Sequence, residues 1–124
     1  MNNQGAWTIY KRYLSAWNTT DVAARLQIAN EVLADNIEYQ TPQHDWSTGS
    51  SLIIEDMASF HEKFPGGHFE IGGVSTHHNV SLLLWVIIQA DGTEIARGGD
   101  QITVGHDGKI SKIITFAPFA AGPN

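Results

Sequence analysis

Arg97-Gly-Gly-Asp100-Gln-Ile-Thr-Val104, continued by Gly105-His-Asp-Gly108-Lys109-Ile110, is the stretch on which the reading of this chain turns. It has the form of a strand, an Asp-Gly turn and a second strand, the short-range signature of a β-hairpin. Side chains alternate along a strand, so Gly98, Asp100, Ile102 and Val104 share one face, and Arg97, Gly99, Gln101 and Thr103 the other. The Asp100 carboxylate therefore points with Ile102 and Val104 toward an apolar interior. A bare charge is expensive to bury, so an acid there is hydrogen-bonded, paired or kept protonated. Two readings stay open. Asp100 is the proton donor or acceptor of a small enclosed site, or it only satisfies neighbouring backbone and hydroxyl groups.

Outward from the hairpin, the C-terminal half reads as β throughout. Strands are expected over residues 68–79, 80–90, 93–104 and 109–117, with a bulge or bend at Gly72-Gly73 and a turn at Asp91-Gly92. Leu82-Leu-Leu-Trp-Val-Ile-Ile88 does not alternate, so both faces of that strand are covered. One cover is the interior. For the other a second protein chain is the simplest candidate. The N-terminal half is helical first. Ile9, Tyr10, Tyr13, Leu14 and Trp17 recur three and four apart and predict a helix over residues 5–18. A second helix runs to about residue 33, capped by Thr20 or Asp21, with Val22, Leu26, Ala29, Val32 and Leu33 as its stripe. Ala34-Asp-Asn36 reads as a break, residues 37–41 as a short strand stopped by Pro42, and 43–49 as a loop. Ser50 or Ser51 caps a third helix over 52–64, with Glu55 and Asp56 near its start, where the helix dipole favours acids.

The bulk numbers fit one domain spanning residues 1–124. The chain is 42% hydrophobic and 16% charged, which suits a folded globule and argues against disorder. Net charge is −6 with no basic cluster, so a nucleic-acid partner is not expected. Cysteine is absent, which removes disulfides and thiol chemistry and is compatible with the cytoplasm. No signal segment is visible, and the longest apolar run is too short for a membrane span. Phosphate-binding loops, nucleotide fingerprints and nucleophile elbows are missing, and no cofactor is expected. His77-His78 invites a metal, but neighbours in a regular strand point to opposite faces, so no metal site is expected either.

The order helix, helix, short strand, helix and four long strands resembles the nuclear transport factor 2-like (NTF2-like) fold. Leu33-Ala-Asp-Asn-Ile-Glu-Tyr-Gln-Thr-Pro42 looks like its first strand ending in proline. Thr48-Gly49 before Leu52-Ile-Ile resembles its entry into helix three. Gly99-Asp100, Asp107-Gly108-Lys109-Ile110 and Phe116 look like its final hairpin. Within that fold the chain is most similar to the SnoaL-like group, related to polyketide cyclases and ketosteroid isomerases. The resemblance implies an α+β architecture of three helices on a strongly curved, mostly antiparallel sheet, enclosing a cone-shaped pocket. It also implies homodimers through the outer sheet face.

Position by position, the resemblance aligns Asp100 with a strand acid that donates to a substrate oxygen, and Tyr13 with an oxyanion-hole tyrosine. Thr41 stands where the isomerases carry a general-base aspartate, and threonine cannot serve as that base at neutral pH. His44 or Asp45, in the next loop, is the candidate replacement, histidine being suited to acid–base work near neutrality. Tyr13 and Asp100 would either bind a developing oxyanion or simply satisfy one another. Trp17, Tyr39, Phe60 and Phe64 would line the pocket from helices and first strand. Ile102, Ile113 and Phe116 would line it from the sheet. Trp46 would cover the mouth or pack on the surface of helix three, and Leu84, with Leu82 and Val86, would face inward while Trp85 faces outward. So apolar a wall suits a small hydrophobic molecule. The expected function is cofactor-free cyclisation, isomerisation or dehydration, the alternatives being a non-catalytic ligand binder or a dimerisation module.

Overall fold

The computed structural model describes residues 1–119. Helix α1 (Asn3–Asn18) starts where Asn2 Oδ1 accepts the Gly5 N–H at 2.8 Å, slightly earlier than the apolar periodicity suggests. Helix α2 (Val22–Val32) opens on Asp21, whose carboxylate accepts the Ala24 N–H at 2.8 Å. Such a side-chain cap stabilises a helix by about 1 kcal/mol. The α2 stripe differs from expectation: Arg25, Ile28, Ala29 and Val32 are buried, whereas Val22 and Leu26 face solvent. A buried arginine is tolerated because its guanidinium donates to the carbonyls of Thr19 (3.1 Å) and Thr20 (3.3 Å). Helix α3 (Ser51–Lys63) buries Ile53, Met57 and Phe60, but the Ser50 side chain makes no cap bond.

Six strands form one open sheet in the order β2-β1-β6-β5-β4-β3. Among the described residues only the β1–β6 pair is parallel. Strand β1 (Leu33–Thr41) follows α2 directly and runs through Ala34-Asp35-Asn36, where a break was expected. Pairing with β6 (Ile110–Phe116) supplies the backbone partners, and the register slip between Leu33 and Glu38 falls on those polar residues. The expected loop after Pro42 contains a strand instead, β2 (His44–Thr48), an edge strand on β1. No buried face gives it an apolar alternation, so only the tertiary pairing reveals it. Strand β3 (His68–His77) carries its register shift at Gly72-Gly73, as the glycines suggest.

The central ladder decides which side chains face the helices. Strands β4 (Val80–Ile88) and β5 (Glu94–Val104) pair without a slip from Val80 to Ile87, with Leu83 opposite Asp100 and Trp85 opposite Gly98. Opposed residues share a face. With Asp100 inward, Leu83, Trp85 and Ile87 must be inward too, and all three are buried. Leu82 (43% exposed) and Leu84 (37%) face outward. The expected parity of β4 is therefore reversed, and Leu84 lies on the outer face of the sheet. Gly98 makes room for the reversal: a Cβ there would collide with the Trp85 ring and sit 2.7 Å from the Phe116 carbonyl oxygen. The helices cover the inner face over Tyr10, Tyr13, Ile37, Ile53, Met57, Leu83, Ile102, Ile110 and Ile113, all fully buried. Among the described residues no helix is long and apolar enough to cross a membrane.

Candidate functional site

Asp100 lies mid-β5 between Leu83 on β4 and Thr115 on β6, so all three project toward α1. Its carboxylate is buried, yet each oxygen has a donor. Thr115 Oγ1 donates to Oδ1 at 2.7 Å, and the Tyr10 hydroxyl donates to Oδ2 at 2.5 Å. Burial pushes the Asp100 carboxyl above the ordinary aspartate range, while hydrogen bonds from Tyr10, Thr115 and Trp85 pull it back down. The Tyr10 phenol is pushed up by its own burial and then by the neighbouring Asp100 charge.

The sequence reading made Tyr13 the partner of Asp100, but that hydrogen bond belongs to Tyr10, one turn earlier on α1. The two rings are packed with centroids 5.6 Å apart. Tyr10 is sealed behind the carboxylate. Tyr13 instead borders a small hollow of about 60 Å³, together with Trp17, Tyr39, Phe69, Trp85, Asp100 and Thr115. That is room for a few waters or one small polar group. Burial, then the Asp100 charge, raises the Tyr13 phenol, Asp56 adds to the rise, and a hydrogen bond from Trp17 opposes it. Tyr13 thus feels both carboxylates.

The hollow adjoins a wider cleft of about 550 Å³, which shares Trp17, Tyr39, Phe69, Trp85 and Thr115 with it and adds Thr41, His44, Asp56, Phe60, Lys63 and Phe64. A second polar group sits there. His44 Nε2 lies 3.1 Å from Asp56 Oδ1, and the Tyr39 hydroxyl donates to Asp56 Oδ2 at 2.7 Å. Burial raises the Tyr39 phenol strongly, followed by the effect of Tyr13. Thr41 turns the chain: its hydroxyl accepts the N–H groups of Gln43 and His44, both at 3.1 Å, which sets His44 at the start of β2.

Trp17, Tyr39, Thr41, His44, Phe60 and Phe64 therefore come together around the cleft, and Tyr13 and Asp100 around the hollow. The others do not join them. Ile102 and Ile113 are wholly buried in the core. Phe116, opposite Gly99 on the outer face, is 52% exposed, and Trp46 on edge strand β2 is 46% exposed. Thr115, Asp56, Phe69 and Trp85 were missed. Thr115 was legible, since it stands two residues after Ile113 and must share its face. Asp56 precedes Phe60 by four residues and so lies on the same side of α3.

His77 and His78 do not both lie in a regular strand, the case on which the opposite-faces reading rests. His78 has φ 53° in the β3–β4 turn, and the two Nδ1 atoms come within 3.2 Å. Among the described residues no three His, Asp or Glu side chains are grouped to hold an ion.

Three helices on a curved, open sheet with one parallel pair define an NTF2-like α+β protein. An NTF2-like protein of unknown function from Exiguobacterium sp. 255-15 superposes with TM-score 0.71 at 17% identity, covering 91% of this chain and 99% of that one. A model of the SnoaL-like domain matches residues 10–113, and the chain belongs to that family. A SnoaL-like family protein from Agrobacterium tumefaciens, provisionally assigned as an isomerase, is 29% identical with TM-score 0.83, over 91% of this chain and 97% of that one. A protein from Jannaschia sp. CCS1, provisionally assigned as a SnoaL-like polyketide cyclase, shares the fold at 13% identity and TM-score 0.72, covering 93% and 85%. No protein of curated function matches significantly.

Proposed function

We propose that this protein is an enzyme of cofactor-free acid–base chemistry, performing cyclisation, isomerisation or dehydration on a small hydrophobic molecule. The observation that carries the reading is a buried, hydrogen-bonded carboxylate, Asp100, bordering a hollow that adjoins an aromatic cleft holding a His44–Asp56 pair. In this reading the substrate lies in the cleft with its reacting oxygen at the hollow. Tyr13 and the protonated form of Asp100 donate to that oxygen as negative charge develops on it. His44, with Nε2 held by Asp56, carries the second proton on Nδ1. Tyr10, sealed behind the carboxylate, and Thr115, at the edge of the hollow, keep the Asp100 carboxyl oriented. The family's range of provisional isomerases and cyclases agrees with this class of reaction.

The outer sheet face exposes Leu82, Leu84 and Phe116, and we propose a homodimer through it. A cysteine-free chain is compatible with work in the cytoplasm.

The test begins with native mass spectrometry of protein from its own host, to find any co-purified molecule. That molecule is then incubated in D2O with the wild type, Asp100→Asn and His44→Gln. Deuterium incorporation or conversion by the wild type, lost in Asp100→Asn, is the expected result. Full turnover by Asp100→Asn removes the assigned role. A molecule held but unchanged by the wild type favours a non-catalytic binder, a reading supported by Thr41, whose hydroxyl accepts turn N–H groups at the usual base position.

A further inference from the structure

We propose that the molecule taken by the cleft is an organic carboxylate: a flat apolar body whose acid group pairs with Lys63 at the rim. This deepens the function proposed above and rests on the cleft being its binding site.

Among the described residues, three ionisable side chains of ordinary acid or base type line the cleft: His44, Asp56 and Lys63. Asp56 has both oxygens engaged, by His44 and by Tyr39. Lys63 has no carboxylate within 4.0 Å among the described residues, in a chain with thirteen acids against seven bases. Most other cations are in use. Arg12 pairs with Glu31 at 2.9 Å and Arg97 with Glu94 at 2.6 Å. Arg25 donates to backbone carbonyls, Lys109 reaches the Asn30 carbonyl at 3.3 Å, and Lys112 sits 5.6 Å from the Trp46 ring centre. Among the described residues Lys11 has no carboxylate within 4.0 Å either, but it is exposed on α1 and does not line the cleft.

A lysine in the last turn of α3 also suits the helix dipole, which by itself explains its presence but not its surroundings. The wall beside it is aromatic and continuous: between ring centroids, Phe69 packs tilted on Phe60 at 4.6 Å and edge-to-face with Trp17 at 5.2 Å and Trp85 at 5.3 Å. Lys63 further borders a shallow depression with Phe64, Gln89 and Asp91. The Asp91 carboxylate accepts its own turn's Thr93 N–H at 2.9 Å. Against a net charge of −6, this ammonium is the feature that lets an anion settle at the cleft.

The probes are 2-naphthoate and its neutral counterpart 2-naphthamide, titrated into wild type, Lys63→Met and Lys63→Arg. Binding is read by tryptophan quenching and by NMR shifts of the Trp17 and Trp85 indoles. For an ion pair at a solvent-exposed rim, the acid should bind about twofold to fivefold more tightly than the amide at low salt. The advantage should fade in high salt, vanish in Lys63→Met and persist in Lys63→Arg. An amide bound as tightly as the acid, or a preference surviving Lys63→Met, overturns the carboxylate assignment and leaves the binding site standing. If neither probe moves the two indoles, the cleft is not a ligand site, and both proposals fall together.

Discussion

The Tyr10 hydroxyl donates to Asp100 Oδ2 across 2.5 Å, tying the first helix to the middle of β5 over a separation of 90 residues. A buried bond to an ionisable carboxyl stabilises a fold by about 1.5–3 kcal/mol. Tyr10→Phe should lose that amount in urea unfolding. Tyr13→Phe should lose less, because the hydroxyls that donate to the carboxylate are those of Tyr10 and Thr115, whereas Tyr13 borders the hollow. Equal losses would mean that the two hydroxyls share the carboxylate.

Burial holds the Asp100 carboxyl above the ordinary aspartate range. Between the unfolded and folded pKa values the native state keeps a proton that the unfolded chain has released. Stability from the protonated form is therefore complete below the unfolded value, about 3.9, and is lost as pH rises through the raised folded value. Asp100→Asn has no such titration. Relative to wild type, the variant should gain stability as pH is raised above the unfolded value and through the raised folded value, followed by urea midpoints at constant ionic strength. A difference that stays flat with pH would show that position 100 does not titrate differently on folding.

The reversed parity of β4 makes a paired prediction. Leu83→Ala empties a fully buried site and should destabilise by about 2–5 kcal/mol. Leu84→Ala, on the outer face, should change monomer stability by less than about 1 kcal/mol, in line with surface substitutions. If the outer face is a dimer interface, Leu84→Lys should lower the mass seen in sedimentation while each chain remains folded. A dimer unaffected by Leu84→Lys would rule that face out.

Gly98 is a matter of space. Its added Cβ would collide with both the Trp85 ring and the Phe116 carbonyl oxygen, so Gly98→Ala must open both contacts. Overpacking of this kind costs about 1–3 kcal/mol. Trp85 emission should shift as its indole moves, and an unchanged spectrum with unchanged stability would refute the contact.

Much of this molecule can be read from local pattern. The helix periodicity around Tyr10 and Tyr13, the Asp-Gly turns, the Gly72-Gly73 irregularity and the inward face of Asp100 all follow from spacing along one segment. Phe116 was misplaced because it stands three residues from Ile113, an odd number that carries it to the other face. Consistent alternation would have chosen Thr115. Strand β2 and the exposure of Val22 and Leu26 were not legible, since a half-exposed edge and a helix beside a buried arginine both depart from simple amphipathic spacing.

Sequence alone determined the three helices, the long C-terminal strands and the presence of a carboxyl group on an apolar strand face, because these depend on periodicity and turn chemistry within a few residues; the α+β architecture that joins them was implied by the family resemblance. Tertiary structure alone decided that Tyr10 holds that carboxyl, that Trp85 faces in, and that Asp56 meets His44. Each of those pairings joins separate elements, so its outcome rests on the register and rotation with which they pack, and neither is encoded within either segment.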